Sequence, residues 1–423
     1  MVSARLSALT GLSFASLASR NEVNPLEWHQ RFAALLESGL LRLCAWPGRE
    51  LSLAVGRFPC GDSITRLVSF CYERFSEAHE NDCLLNIDLS RVSPADSLDW
   101  VREFEQQLAD AFAADVPVCF SVTDEHPDLE AVIRLRNSDL LATASVAVRY
   151  GECLDGSDRN TDRGEMLAEQ SHADARLKLV PHRSLRPISG FHSRERGDCV
   201  MPAGLFEAGT DTAWLMLEVD AARLANARYP RRKLSECLRF ADNLIDVIDW
   251  PRPVLQLDAL LNRRVCLHVT GIGDLLTERG MHPRCADTFL WLKRWLSFVS
   301  RSLLRESRVL ANDRGPFPQL GTSELIAELA PRYGVENAKQ IVRNSCLRHR
   351  HVLALSPFAL FPSKTSVVPA DLWINLIPAL QCADALTMYG PDSRQRLSQF
   401  SWHRLLQLTG ALARAHQAVS KFA

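Results

Sequence analysis

Twelve cysteines are scattered along the chain without a single Cys-x-x-Cys pair. A structural zinc site built on closely paired ligands is therefore excluded as an expectation. Several of these thiols sit inside apolar runs, Cys83 in "CLLNI" and Cys266 in "VCLHV" among them, and read as buried and reduced. No apolar run approaches the ~18 residues of a membrane span. There is no excess of charge of either sign: the formal net charge is -1, so no global field draws the chain to nucleic acid or anionic lipid. Acid is missing from the first stretch, "MVSARLSALTGLSFASLASR", but serines break its apolar residues. It reads as an amphipathic first helix, with a transit peptide as the alternative and a signal peptide as a poor fit. No short repeat is visible, and no linker cuts the chain into independent domains.

What is present is an ordinary globular composition, 47% hydrophobic and 23% charged, which argues against disorder. With 423 residues the chain can bury a large core. Apolar spacing predicts a helix over residues 26–45, then a strand in "ELSLAVGRF" and a helix from "CGDSITRL" onward. Strands follow in "CLLNIDLS", "PVCFSVTD" and "ATASVAVRY", separated by the helices "SLDWVREFEQQLADAFAA" and "HPDLEAVIRLRN". Such alternation implies a mainly parallel sheet or barrel. Residues 151–200 are polar and read as a loop-rich insertion. After it come a strand in "DTAWLMLEV", a helix in "KLSECLRFADNLIDVIDW", a strand in "RVCLHVTG" and a long helix from "ADTFLWLKRWL".

The segments "RFADNLIDVIDWP", "NRRVCLHVTGIGDLLTERG" and "ESRVLANDRGPFP", in that order, resemble the large catalytic chain of ribonucleotide reductases, closest to the cobalamin-dependent and aerobic types. Upstream, "GDSITRL" and "EHPDLEAVIRLRNSDLLATASVAV", and downstream "IVRNSC", resemble further segments of that family in its order. The resemblance implies a ten-stranded α/β barrel of two antiparallel halves around a central finger loop. Residues 49–380 would form it, with 1–48 an N-terminal helical segment and 381–423 a C-terminal one. It also implies that Gly271 and Gly273 serve a strand-to-helix turn, a lone Gly-x-Gly being weak evidence of nucleotide binding.

The family's chemistry uses one thiyl radical on the finger loop and two reducing thiols on separate strands. Carried over position by position, the finger-loop motif reads "MPAGL": Met201 stands for an asparagine, Ala203 for the radical cysteine and Leu205 for a glutamate. The reducing cysteines fall on Val55 and Thr212. Cys199 lies four residues early and Cys60 falls at the end of its strand, so neither is expected to substitute. The phosphate loops are trimmed as well: after "RNS" the chain reads "CLRHRHVLALSPF", basic but without the glycines and threonines that wrap an oxyanion.

The expectation is thus a reductase-like pseudoenzyme without cofactor or metal, cytoplasmic, acting beside a true reductase chain or a biosynthetic enzyme. The rival is an active radical reductase, needing adenosylcobalamin or a radical-generating partner, or a barrel reused on a nucleotide-like substrate. Asp62 and Ser63 are the candidate effector-binding pair, although plain helix capping selects the same residues. The helix they open predicts a dimer contact and weak nucleotide binding; nucleic acid and membrane are not expected partners. Arg348 to His351, "RHRH", reads as a solvated loop, and His126 with Asp128 as a helix start rather than a metal pair. Asp242, Asn243 and Asp246 read as structural, and Trp291 with Trp295 as a core stripe.

Overall fold

The structure is a computed structural model. It describes residues 13–43, 50–54, 84–90, 100–111, 118–137, 144–150, 176–181, 199–201, 206–208, 212–248, 252–271, 278–281, 286–321, 333–344, 347–350 and 352–353, with isolated positions between them. Five strands make an all-parallel sheet in chain order: β2 (Glu50–Ala54), β3 (Leu84–Asp88), β4 (Val118–Thr123), β5 (Ser145–Tyr150) and β6 (Leu177–Pro181). A second sheet has the order β1 (Leu41–Leu43), β9 (Leu215–Asp220), β10 (Val265–Thr270), β11 (Val352–Leu353), with β1 antiparallel and the others parallel. Between them in sequence lies the hairpin β7 (Cys199–Met201) and β8 (Phe206–Ala208). The protein is therefore mixed α/β, and among the described residues no ladder joins the two sheets.

The hairpin lies against the first sheet: β7 is beside β2 and β3, and β8 is beside β6 at the far edge.

Each sheet has one apolar face. Leu85, Ile87, Val118, Phe120, Val146 and Val148 project to one side of the first sheet and are fully buried or nearly so. Helices α2 (Trp100–Ala111) and α3 (Leu129–Arg134) cover them, with the Phe104 ring edge-on to Phe120 at 6.0 Å. Leu215, Leu217, Val265 and Leu267 do the same in the second sheet, and both sets belong to one continuous core. Helix α5 (Pro230–Ile245) packs there, its Phe240 edge-on to Phe32 of α1 (Pro25–Glu37) at 5.1 Å. The long α7 (Ala286–Arg314) lies alongside α5.

Three local expectations are corrected. The first helix ends at Glu37, not at residue 45, because Gly39 takes φ 67 and Leu41–Leu43 are drawn into the sheet by pairing with β9. The span 151–200 contains β6, whose Leu177 is buried against the core. Asp128 makes no side-chain cap; the His126 ring accepts from its backbone N–H instead.

Candidate functional site

In an all-parallel sheet covered on both faces, strands run almost continuously apolar. Here they alternate. Opposite the core face of the first sheet stand Asn86 and Asp88 on β3, Cys119 and Ser121 on β4, and Ala147 and Arg149 on β5. All six are buried, yet Cys119 and Ala147 lie outside the apolar core, which places this face on a separate side of the sheet. Arg149 crosses β4 to reach Asp88, with Nη2 2.6 Å from Oδ2, and also donates to Ser90. The two small residues beneath it, Ser121 and Ala147, leave room for that crossing. The Ser121 hydroxyl is fully buried and has no hydrogen-bond partner among the described residues, an arrangement that costs free energy unless something satisfies it. The second sheet repeats the pattern with Met216, Asp220, Cys266 and Thr270, and the buried Thr270 hydroxyl also lacks a partner. Asp220 is accounted for: it accepts from Arg42 at 2.8 Å and caps α4 (Ala221–Asn226) through the Arg223 N–H.

The densest charge cluster lies elsewhere, around Asp242 of α5. Arg263, Arg314 and Arg348 all reach its carboxylate, at 2.7, 2.9 and 3.0 Å. Arg314 also holds Glu22 at 2.7 Å, and Glu22 takes a two-pronged bond from Arg239 at 2.8 and 3.0 Å. Asn243 donates to Glu22 and to the Ala18 carbonyl, both at 2.8 Å. Arg263 follows α6 (Pro253–Asn262) and is the one described non-glycine residue with positive φ, at 48°. A side chain there costs about 1–2 kcal/mol; its bonds to Asp242 and Asp246 offset that strain. Burial pushes the Asp242 pKa up. The bond to His349 and the charges of Arg263 and Arg348 outweigh it and hold the carboxyl well below the usual carboxylate range. Glu22 is lowered in the same way, burial being overcome by Arg239, Asn243 and Arg314.

His349 completes the cluster. Its backbone N–H donates to Ser307 Oγ at 3.2 Å, and Nδ1 lies 3.0 Å from the same oxygen; because the Asp242 carboxylate on the other side of the ring can only accept, Nδ1 is the nitrogen left to accept from Ser307. Nε2 then carries the ring proton and faces Asp242 Oδ1 at 3.3 Å, off the best line for a hydrogen bond. Burial holds the imidazole pKa below its ordinary value, so the ring is neutral at pH 7. Ser, His and Asp in line have the composition of a hydrolytic triad, but Ser307 is fully buried on a helix and no substrate can reach it. This is architecture: it ties residue 22, α5, the end of α6, the end of α7 and the approach to β11 together.

The residues singled out from sequence fare unequally. Asp62, Ser63, Val55, Ala203 and Leu205 lie outside the described residues. Met201 ends β7, in the hairpin beside the first sheet. Thr212 accepts from the Trp214 indole at 3.3 Å. Asp242, Asn243 and Asp246 are structural, as expected. "RHRH" is not a solvated loop: His349 and Arg350 are buried, and Arg348 and His349 belong to the Asp242 cluster. Trp291 and Trp295 stack at 6.2 Å, half-buried against the core. Among the described residues no group of three or more His, Cys, Asp or Glu is arranged for a metal ion. His126 is engaged by backbone, with Nε2 2.8 Å from the Val92 carbonyl. The polar sheet faces are not among the expected sites, although the alternation in "LLNID", "VCFSVT" and "SVAVRY" is their signal.

No family model matches the chain. It is 31% identical over 173 residues to a vitamin B12-dependent ribonucleoside-diphosphate reductase of Mycobacterium tuberculosis strain CDC 1551 / Oshkosh, and equally to that of strain ATCC 25618 / H37Rv. These matches support a family relationship with ribonucleotide reductases. They cover 40% of this chain. The chain spans about a quarter of the length of the curated relatives it matches, 25% and 24%. No helix among the described residues is long and apolar enough to cross a membrane.

Proposed function

We propose that this reductase-like chain carries out no ribonucleotide reduction and serves as a partner or regulator of another enzyme. The observation that carries the reading is the loss of sulfur at all three positions where the resemblance calls for it, Val55, Ala203 and Thr212. Hydrogen-atom transfer and disulfide formation need thiols, and neither alanine, valine nor threonine replaces one. Two described thiols support the reading from the other side. Burial pushes Cys71 up to about 12 and raises Cys237 further, which keeps both as inert thiols. Adenosylcobalamin, the radical source of the matched relatives' type, has no sulfur at residue 203 to act on, so no step is routed through it here. The partner is a second copy, a true reductase chain or a biosynthetic enzyme, contacted in this reading through the helix that begins at Asp62 and Ser63.

A second reading, retention of a nucleotide-like ligand without radical chemistry, is favoured by the buried polar faces and the unpartnered Ser121 and Thr270 hydroxyls. One experiment addresses both. The purified protein is incubated with ribonucleoside di- and triphosphates, a dithiol reductant and adenosylcobalamin, and calorimetry is run on the same ligands. No deoxynucleotide is expected, with weak binding at most. Deoxynucleotide formation above a cobalamin-free control would overturn the non-catalytic reading.

A further inference from the structure

The chain as a whole is nearly neutral, but one helix face is not. On α7, Arg294, Arg301, Arg305 and Arg308 are all exposed. At ~100° per residue they fall within about 60° of one another, along ~21 Å of helix. No acidic residue shares that face between them; Glu306 points about a third of a turn away. Acids at i,i+3 or i,i+4 would stabilise such arginines; Arg301 and Arg308 are engaged elsewhere, whereas Arg294 and Arg305 have no hydrogen-bond or ion-pair partner among the described residues. Helix α5 begins beside this stripe. Arg231, at its first turn, sits over the Phe298 ring of α7 at 6.0 Å, and Arg228 sits over Tyr229 at 5.2 Å. Tyr229 is 56% exposed.

We propose that this arginine face of α5 and α7 is the docking surface for a carboxylate-rich segment of the partner protein; the proposal rests on the partner reading above. Arginine with tyrosine is the composition in which interface binding energy concentrates. Guanidinium planes laid on aromatic rings are held with their N–H edges outward, the geometry that takes a carboxylate by two bonds. Two observations favour an acidic protein segment over nucleic acid. The faces of Tyr229 and Phe298 are already occupied by the chain's own guanidiniums, so they are not open platforms for base stacking. An acid borders the patch as well: Asp287 is exposed on the same α7 face two turns before Arg294. A continuous phosphate backbone tracking the stripe would run into it.

The test uses the full chain and a short fluorescein-labelled peptide of alternating glutamate and serine, followed by anisotropy at about 50 mM salt, where screening is weak. Saturable binding is expected, weakened at least about tenfold by Arg294→Glu with Arg305→Glu and unchanged by Arg102→Glu on α2. The substituted positions are exposed, and a retained circular dichroism melt confirms folding. Three results overturn the proposal: no saturable binding, equal loss with Arg102→Glu, or tighter binding of a single-stranded oligonucleotide of the same charge. None of them bears on the turnover experiment, so failure here leaves the non-catalytic reading to stand or fall by itself.

Discussion

Asp242 and Asp88 are both buried aspartates held by arginine, yet their surroundings differ in kind. Asp242 gathers three arginines and a histidine from segments up to more than a hundred residues away, and its neighbours are in turn bonded to Glu22, Asn243 and Asp246. Asp88 pairs with Arg149 from the next strand but one and accepts from the Ser90 backbone N–H, on a sheet face where the Ser121 hydroxyl has no partner among the described residues. A saturated cluster of this type fixes where segments sit, because each member loses several bonds if it moves. On the sheet face the capacity in reserve is narrower, a single Ser121 hydroxyl that no described residue satisfies. The same residue types therefore serve architecture in one place and leave chemical potential in the other.

The comparison can be broken most forcefully at Asp242. Asp242→Ala removes the common acceptor of three arginines and leaves Arg263 buried, which is expected to cost about 3–5 kcal/mol in urea unfolding. A loss under ~1 kcal/mol, the range of an exposed pair, would show that the cluster is not holding the segments together.

His349 sharpens the comparison through pH. Its folded pKa is depressed below the ordinary value, so the unfolded chain binds the proton first as pH falls. The stability due to the neutral buried ring is complete above about pH 6.5 and declines as pH drops below it, by at most ~1.4 kcal/mol per unit for one proton. His349→Gln is expected to flatten that slope between about pH 6.5 and 5 while leaving the carboxylate-linked loss below about pH 4. An unchanged slope in urea melts across this range would assign the proton to a different group.

The smallest effect is expected at Ser121. Ser121→Ala deletes a buried hydroxyl without a partner, so the change is expected to be neutral or stabilising by up to about 1 kcal/mol. A destabilisation beyond ~1 kcal/mol in the same unfolding measurement would place a partner on that hydroxyl and bring the sheet face closer in character to the Asp242 cluster.

Much of the chain's local order is legible in its residue pattern. The strands "CLLNIDLS", "PVCFSVTD" and "RVCLHVTG" and the long helix from "ADTFLWLKRWL" follow from periodicity of 2 and 3.6 in strongly patterned segments, and the structure bears them out; the helix read in "KLSECLRFADNLIDVIDW" is present but shifted, running from Pro230 to Ile245. β6 and β11 are not legible in that way, because each is short and is fixed by pairing with β5 and β10. The same physics hides the role of "RHRH". Four basic residues in a row imply solvent unless acids from distant segments meet them, and Asp242 lies 106 residues before Arg348.

The amino-acid sequence by itself determined the α/β class, the apolar face of each sheet and the family resemblance. Those features depend on residue identity and near neighbours. Only the tertiary structure decided which buried polar groups are satisfied and which are not. Burial makes every such group costly, and whether the cost is met depends on partners brought from far along the chain. That is why Asp242, Glu22 and His349 became one saturated cluster, while Ser121 and Thr270, no more polar in sequence than many others, were left facing inward without a partner.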